Sequence, residues 1–308
     1  MDAIEIDRMS KSYGRLRAVN GISLSVRQGE IFGLIGPDGA GKTTLFRMMT
    51  TLMLPDSGGG RICGLDIVRD YFSIRKIIGY MPGKFSLYQD LSVRENLDFY
   101  ATLFGTTIEE SYPTIKEIYS QIEPFSSRRA GKLSGGMKQK LALCCALVHR
   151  PSVLFLDEPT TGVDAVSRGD FWNMLGRIRD SGVTVFVSTP YMDEAALCDR
   201  LALIRSGEII GSGTPSQIVA AYPYRILAVR GGEMYPLLKA LRGLEGTVSC
   251  FSFGDCHHLA YDPARTDREK IMRDIARTGF KDCSVKEIEP GVEDCFMQLS
   301  GKWTQDRM

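Results

Sequence analysis

The stretch Gly36-Pro37-Asp38-Gly39-Ala40-Gly41-Lys42-Thr43-Thr44 decides how this chain reads. Gly36, Gly41, Lys42 and Thr43 stand at the spacing G-x-x-x-x-G-K-[ST] of a phosphate-binding loop. Before it, Ile31-Phe32-Gly33-Leu34-Ile35 is a compact apolar run of buried-strand type, and after it Thr43 to Met49 reads as a helix. That strand–loop–helix setting is the context the motif requires. Glycines let backbone N–H groups curl around phosphate oxygens, and the helix N-terminus adds partial positive charge. In such a loop Lys42 reaches the β- and γ-phosphates and the Thr43 hydroxyl holds Mg2+.

Outward from the loop the same core continues. Short strands are expected at Ile4–Met9 and Gly21–Val26, with a turn at Gln28-Gly29. Val153-Leu154-Phe155-Leu156 suits a parallel strand buried on both faces, and it runs into Asp157-Glu158. A carboxylate at the end of such a strand can contact the Mg2+ shell, which is the expected role of Asp157; Glu158 beside it can polarise the attacking water. Val183–Ser188 reads as another buried strand, and Leu201–Ile204 with Glu208–Ile210 as a hairpin across Arg205-Ser206-Gly207.

Between about 84 and 150 the character turns helical. Ser92-Val93-Arg94-Glu95 is a capping box, a second helical region covers about 108–123, and a third runs from near Ser134 to Pro151. After 223 the order is strand, helix, two strands, helix, strand, which is ferredoxin-like, followed by a helix at Val292–Leu299. The expectation is an α/β P-loop NTPase core with an antiparallel β subdomain and a helical insertion over 1–220, and a small α+β domain over 223–308.

The 308 residues carry 38 Lys+Arg against 37 Asp+Glu, so no bulk basic footprint for nucleic acid exists. No apolar run approaches the roughly 18–20 residues that span a bilayer, and Met1-Asp2-Ala3-Ile4-Glu5 has no signal-peptide character. Any membrane role is therefore expected through a partner. None of the eight cysteines forms a C-x-x-C pair, which fits reduced thiols in a cytosolic protein. Cys256-His257-His258 lacks a second ligand pair at metal spacing and reads as a strand near a turn.

Leu133-Ser134-Gly135-Gly136-Met137 narrows the class. As physics it is a serine and two glycines opening a helix, a second anion site. It resembles the signature sequence of the ATP-binding cassette (ABC) family, which normally ends in Gln. The resemblance covers about residues 4–220. It implies that Tyr13 stacks on adenine, that Asp164 is the D-loop aspartate at a dimer seam, and that each ATP lies between one subunit's P-loop and the other's Ser134-Gly135-Gly136. Pro290-Gly291-Val292-Glu293-Asp294-Cys295-Phe296 resembles the "P-S-L-E-D-V-F" ending of ABC-2-type ATPases. By that likeness the chain is an ATP- and Mg2+-dependent motor subunit on the inner face of the cell membrane. It would dock an ABC-2 permease, mostly an exporter, through a groove near Phe85, Leu87 and Tyr88.

The family pattern breaks twice. Ile78-Gly79-Tyr80-Met81-Pro82-Gly83 has glycine where cassettes carry a Gln, with Lys84 and Gln89 the nearby polar candidates to compensate. Ser188-Thr189-Pro190-Tyr191-Met192-Asp193-Glu194-Ala195 has proline at the switch histidine, and His149, His257 and His258 lie outside the motif. Loss of positioning groups slows phosphoryl transfer more than it weakens binding. The expectation is a P-loop site that binds ATP and hydrolyses it poorly, in a heterodimer where the intact Ser134 helix completes a competent partner site. The alternatives are a nucleotide-gated regulatory or scaffold subunit, and a soluble ABC protein of DNA repair or translation. The last is disfavoured by the absence of a long coiled-coil insertion or second cassette.

Overall fold

Ile31–Ile35 is buried at all five positions because it lies inside a six-stranded sheet. In order, that sheet is Glu208–Gly213, Arg200–Arg205, Ile31–Ile35, Thr184–Thr189, Val153–Asp157 and Ile78–Met81. Five strands are parallel and only the Glu208–Gly213 edge is antiparallel. Parallel strands covered on both faces read as continuous apolar runs. Ile31 accordingly packs into one core, and Phe32 and Leu34 into the other.

The computed structural model describes residues 1–280 and 283–305, with side chains described as far as 301. It divides into two units, Met1–Thr214 and the chain from Pro215 onward.

In the first unit, a four-stranded antiparallel sheet orders Leu16–Arg27, Asp2–Tyr13, Ser57–Ile62 and Leu65–Asp66. Both hairpin strands run longer than the sequence suggests. Asp2–Tyr13 survives as one strand through a register shift between Ile6 and Met9, where Arg8 takes φ +43°. The bulge keeps Ile4, Ile6 and Met9 all facing the core. Between the two sheets, Phe46 of helix Lys42–Met49 packs on Phe155 and Phe186 at ring distances of 5.7 and 4.7 Å. These rings anchor the helix that follows the phosphate loop.

The opposite face of the parallel sheet carries helices Val93–Leu103, Ile108–Tyr119 and Gly135–Leu147 and the 16-residue helix Ala165–Asp180. The Ser92 capping box is present, Ser92 Oγ accepting from Glu95 N at 3.2 Å and Glu95 Oε2 from Ser92 N at 2.7 Å. Thr107 and Glu110 form a second box. The second helix stops at Tyr119, short of 123, since Gln121 and Ile122 already turn toward a short 3-10 segment at Glu123–Phe125.

The second unit orders its strands Thr247–Phe253, Cys256–Tyr261, Arg225–Arg230, Ser284–Ile288, all antiparallel. With helices Met234–Arg242 and Arg268–Arg277 between them, this is the ferredoxin-like arrangement. Its last helix, Val292–Gln305, extends past the expected Leu299. Cys256, His257 and His258 lie on a strand: His257 Nδ1 meets Ser252 Oγ at 3.0 Å and His258 Nδ1 meets Asp294 Oδ1 at 2.8 Å. Asp294 also accepts from Gly291 N at 2.8 Å, so the acidic residue of the tail motif ties its own turn to the sheet. None of the eight cysteines, all among the described residues, is in a disulfide, and six are buried.

Candidate functional site

The phosphate loop lies where the parallel strands end. Gly36 N donates to Thr189 O at 3.2 Å, which stitches the loop's first residue to the end of the neighbouring strand. Two glycines are fixed by close approach. A Cβ on Gly36 would fall 2.2 Å from Ile204 O, and one on Gly41, at φ +107°, would fall 2.2 Å from Ala18 O. Only glycine allows both contacts. Helix Lys42–Met49 then starts with Gly41 as its N-cap and no side-chain cap, which leaves its first N–H groups open to an anion. Pro37, Asp38 and Gly39 are exposed on the loop's outer side, Ala40 is buried beneath it, and Thr43 and Thr44 are half-buried on the first turn.

Lys42 is 2% exposed. Its ammonium donates to Gly36 O at 2.7 Å and Pro37 O at 3.0 Å, and lies 3.1 Å from Glu158 Oε1. The loop lysine and the candidate base, far apart in sequence, thus meet directly. Glu158 takes a left-handed backbone, φ +50°, directly after the strand. Its N–H is shared between Ser188 O at 3.0 Å and Ser188 Oγ at 3.1 Å, which holds that unusual turn in place. The same Ser188 hydroxyl donates to Asp157 Oδ1 at 2.7 Å. Asp157 is 2% exposed. It neighbours Tyr80, whose hydroxyl pKa is pushed up to about 12 by burial first and by the Asp157 charge second.

Asp157 pairs in register with Ser188, and Ser188 with Leu34 of the strand that leads to the loop. Asp157 therefore stands level with the strand that feeds Thr43, two strands away. Thr43 hydroxyl and Asp157 carboxylate are hard oxygen donors of the kind Mg2+ takes. Among the described residues no group of three or more His, Cys, Asp or Glu gathers as a metal site. A cation held by few protein ligands that completes its shell from phosphate and water fits that donor set.

Tyr13 ends its strand and pairs across a two-residue turn with Leu16. Ala18, two residues further on, is the residue whose carbonyl abuts Gly41. The Tyr13 ring is exposed near this hairpin tip, and its hydroxyl donates to Met53 Sδ at 3.2 Å. Ser134 and Gly135 are exposed, with Gly136 half-buried. Ser134 Oγ caps helix Gly135–Leu147 by accepting from Met137 N at 3.4 Å. These three open a separate helix, and Gly135 lines the same small cavity as Glu158. Asp164 caps helix Ala165–Asp180 through Ser167 N at 3.0 Å, and that backbone bond lowers its pKa.

A protein-family comparison identifies residues 19–161 as "ABC transporter". The chain is 35% identical over 311 residues to the Nod factor export ATP-binding protein I of Paraburkholderia xenovorans (strain LB400), covering 99% of each. The chain belongs to the ABC transporter family of ATP-binding proteins. It is also 38% identical, over 92% of its length, to the "Probable multidrug ABC transporter ATP-binding protein YbhF" of Escherichia coli (strain K12), and spans 49% of that longer relative. Among solved structures it resembles cbiO1 of Clostridium perfringens, part of the ABC transporter complex cbiONQ. That likeness has a TM-score of 0.64 and 25% identity, covering 71% of this chain and 91% of that one.

Within this ABC chain, one departure, Gly83, lies beside Glu158, and the other, Pro190, follows the residue that holds Gly36 N. A Cβ on Gly83 would lie 3.0 Å from Asp157 O and 3.7 Å from Glu158 Cβ, so position 83 faces the acidic pair with no side chain. A cavity of about 160 Å³ opens there, lined by Gly83, Glu158, Gln139 and Gly162 among others. Gln89 is engaged elsewhere: its carbonyl accepts from Gly131 N at 2.9 Å and its side chain packs at Gly131. Lys84 is exposed. Pro190 directly follows Thr189, whose carbonyl holds Gly36 N, and its ring nitrogen has no hydrogen to donate.

Beyond Gly83 an apolar groove of about 570 Å³ is lined by Leu87, Tyr100, Leu103, Phe72, Tyr80 and His149 among others. Leu87 is on its wall; Phe85 lines the smaller cavity beside Gly83 instead, and the exposed Tyr88 ring packs edge-on against Phe99 at 5.0 Å. The sequence reading missed Asn96. It is fully buried and its side chain bonds Tyr88 N, Tyr88 O, Leu91 O and Ser92 O at 2.9–3.3 Å, fixing the loop after Gly83 to the helix. An asparagine just inside a capping box was the available signal.

Proposed function

We propose that this chain is the ATP-binding motor subunit of an ABC-2-type exporter, and that its own P-loop site binds ATP and hydrolyses it weakly. The observation that carries the reading is the pairing of Lys42 with Glu158 beside Gly83, which has no side chain, together with Pro190, which has no imidazole to donate. Binding rests on the loop backbone, Lys42, Thr43, Thr44 and the Tyr13 ring. Lys42 exchanges its carbonyl and Glu158 partners for phosphate oxygens, which frees Glu158 to take a proton from water. Thr43 and Asp157 would hold Mg2+, which would supply neutralising charge to the phosphates. Removing one positioned charge-stabilising donor costs about 10²–10³ in rate. Two such losses at one γ-phosphate leave a site that holds nucleotide far better than it turns it over.

Ser134, Gly135 and Gly136 open a helix at the surface, with Ser134 and Gly135 exposed, which suits donation to a second cassette. A heterodimer then has one weak and one competent site, with Asp164 at the seam. Relatives named for Nod factor export and as a multidrug transporter support an export role. Among the described residues no helix is long and apolar enough to cross a membrane. The apolar groove around Leu87 and Tyr100 is the proposed seat of a permease helix, which would place the chain on the inner face of the membrane.

The test is steady-state ATPase of the purified chain at high concentration with Mg2+. Turnover at ordinary transporter rates, abolished by Glu158→Gln, overturns the weak-site reading. No turnover by the chain when it is combined with its partner cassette and permease favours the regulatory or scaffold role instead.

A further inference from the structure

A second network involves both chain neighbours of Pro190, and its centre is Arg168. Glu194 is 3% exposed, a carboxylate taken almost wholly out of water. Its Oε2 accepts from the Thr189 hydroxyl at 2.6 Å. Its Oε1 makes no hydrogen bond and faces Arg168 Nη1 at 3.8 Å. Arg168 also bonds Asp193 Oδ2 through Nη2 at 3.1 Å, and its guanidinium lies 4.6 Å from the centre of the Tyr191 ring. Thr189 Oγ1 in turn accepts from Tyr191 N at 3.0 Å, and Thr189 O accepts from Gly36 N at 3.2 Å.

These contacts form one continuous chain, Arg168 to Glu194 to Thr189 to Gly36, that encloses Pro190. Pro190 thus lies between Thr189, bonded to the Glu194 carboxylate that faces Arg168, and Tyr191, whose ring lies against the Arg168 guanidinium. Arg168 is anchored on the first turn of helix Ala165–Asp180, where its N–H donates to Asp164 O at 2.9 Å. The network joins the helix capped by Asp164 to the first residue of the phosphate loop. A buried carboxylate deprived of its cation must find another partner or take up a proton. Removing Arg168 therefore releases Glu194, and with it the Thr189 hydroxyl and the backbone at Tyr191.

We propose that Arg168 is a positioning residue that sets the Thr189–Tyr191 segment against the phosphate loop and so governs how the site tells ATP from ADP. The inference rests on the ATP-site reading above and deepens it. Proline contributes no hydrogen bond at position 190, so γ-phosphate recognition on this side falls to the placement of backbone and loop. That placement is what Arg168 holds through Glu194. Lysine retains the charge but cannot span Asp193 and Glu194 with one planar fork.

The experiment is equilibrium titration of the full chain with fluorescent ATP and ADP analogues in Mg2+, for wild type, Arg168→Met, Arg168→Lys, Glu194→Gln and the Arg168→Met/Glu194→Gln pair, with thermal melts alongside. Expected are a fall of about tenfold in the ATP-over-ADP preference for Arg168→Met, and partial recovery with Arg168→Lys. The double variant should be no worse than Arg168→Met alone, because contacting residues in one network are not additive. Parallel loss of ATP and ADP affinity, or additive losses in the double variant, reduces Arg168 to a general packing role and overturns the inference. So does a wild-type chain that binds both nucleotides equally. A wild-type chain that binds neither refutes the ATP-site reading itself.

Discussion

Lys42 Nζ and Glu158 Oε1 are 3.1 Å apart, and Lys42 is buried. The pair neutralises the candidate base with the loop's own cation, so nucleotide binding must part them. A buried ion pair is weak evidence for stability and better evidence for a switch.

Glu158→Gln removes the charge but keeps the shape. It is expected to bind MgATP as tightly as wild type or severalfold more tightly, because Lys42 no longer has to leave a carboxylate, while hydrolysis falls below detection. Lys42→Ala loses the phosphate partner outright and is expected to weaken ATP binding at least a hundredfold. Isothermal titration of the two variants checks both; equal loss of binding in the two contradicts the pairing.

Asn96→Ala leaves the part-buried Tyr88 N–H without a partner, while Tyr88 O and Leu91 O keep their bonds from Leu91 N and Ala130 N. Each unpartnered buried group costs about 1–3 kcal/mol. The variant should lose roughly 1–3 kcal/mol in urea unfolding. It should keep its nucleotide affinity, because the loss is confined to the wall of the apolar groove.

His149 Nε2 lies 2.9 Å from Ile78 O, a carbonyl that can only accept, so Nε2 carries the proton. Nδ1 is buried without a partner and the ring stacks on Phe104 at 3.8 Å. Burial holds the His149 pKa below 6.5, the carbonyl bond opposing it less strongly. A folded pKa below the unfolded one means the unfolded chain binds more protons, so stability is present above about pH 6.5 and lost as pH falls below it. His257 shifts in the same direction. His149→Gln should therefore flatten, without abolishing, the decline in melting temperature as pH falls from neutral to about a unit below the ordinary histidine value; parallel curves for the two proteins contradict this.

The phosphate loop, the Val153–Asp157 strand and the Ser92 cap were legible because each is written in consecutive residues. The second unit's strand order followed from the alternation of its elements. Helix Ala165–Asp180 was not read, since Gly169 and Gly176 interrupt it and its buried residues are few: Phe171, Trp172, Met174 and Leu175. Ser57–Ile62 contains three glycines and looks like a turn; it becomes a strand because Asp2–Tyr13 offers its open edge. Gly83 and Pro190 stood out as departures in type, but what surrounds them did not. Glu194, Arg168 and Thr189 converge from separate elements, and no local spacing announces a contact between Arg168 and Glu194.

The central claim is that this site binds ATP and turns it over slowly for want of hydrogen-bonding side chains at positions 83 and 190. The direct measurement is ATPase and MgATP affinity of one preparation each of wild type and Gly83→Gln/Pro190→His, at equal high concentration. The side chain introduced at position 83 needs Asp157 O to yield a few tenths of an ångström from a 3.0 Å approach. The account predicts similar affinities and a rise in turnover of at least about tenfold in the double variant, lost again on adding Glu158→Gln. Wild-type turnover already at transporter rates, with no gain from the two substitutions, would contradict it.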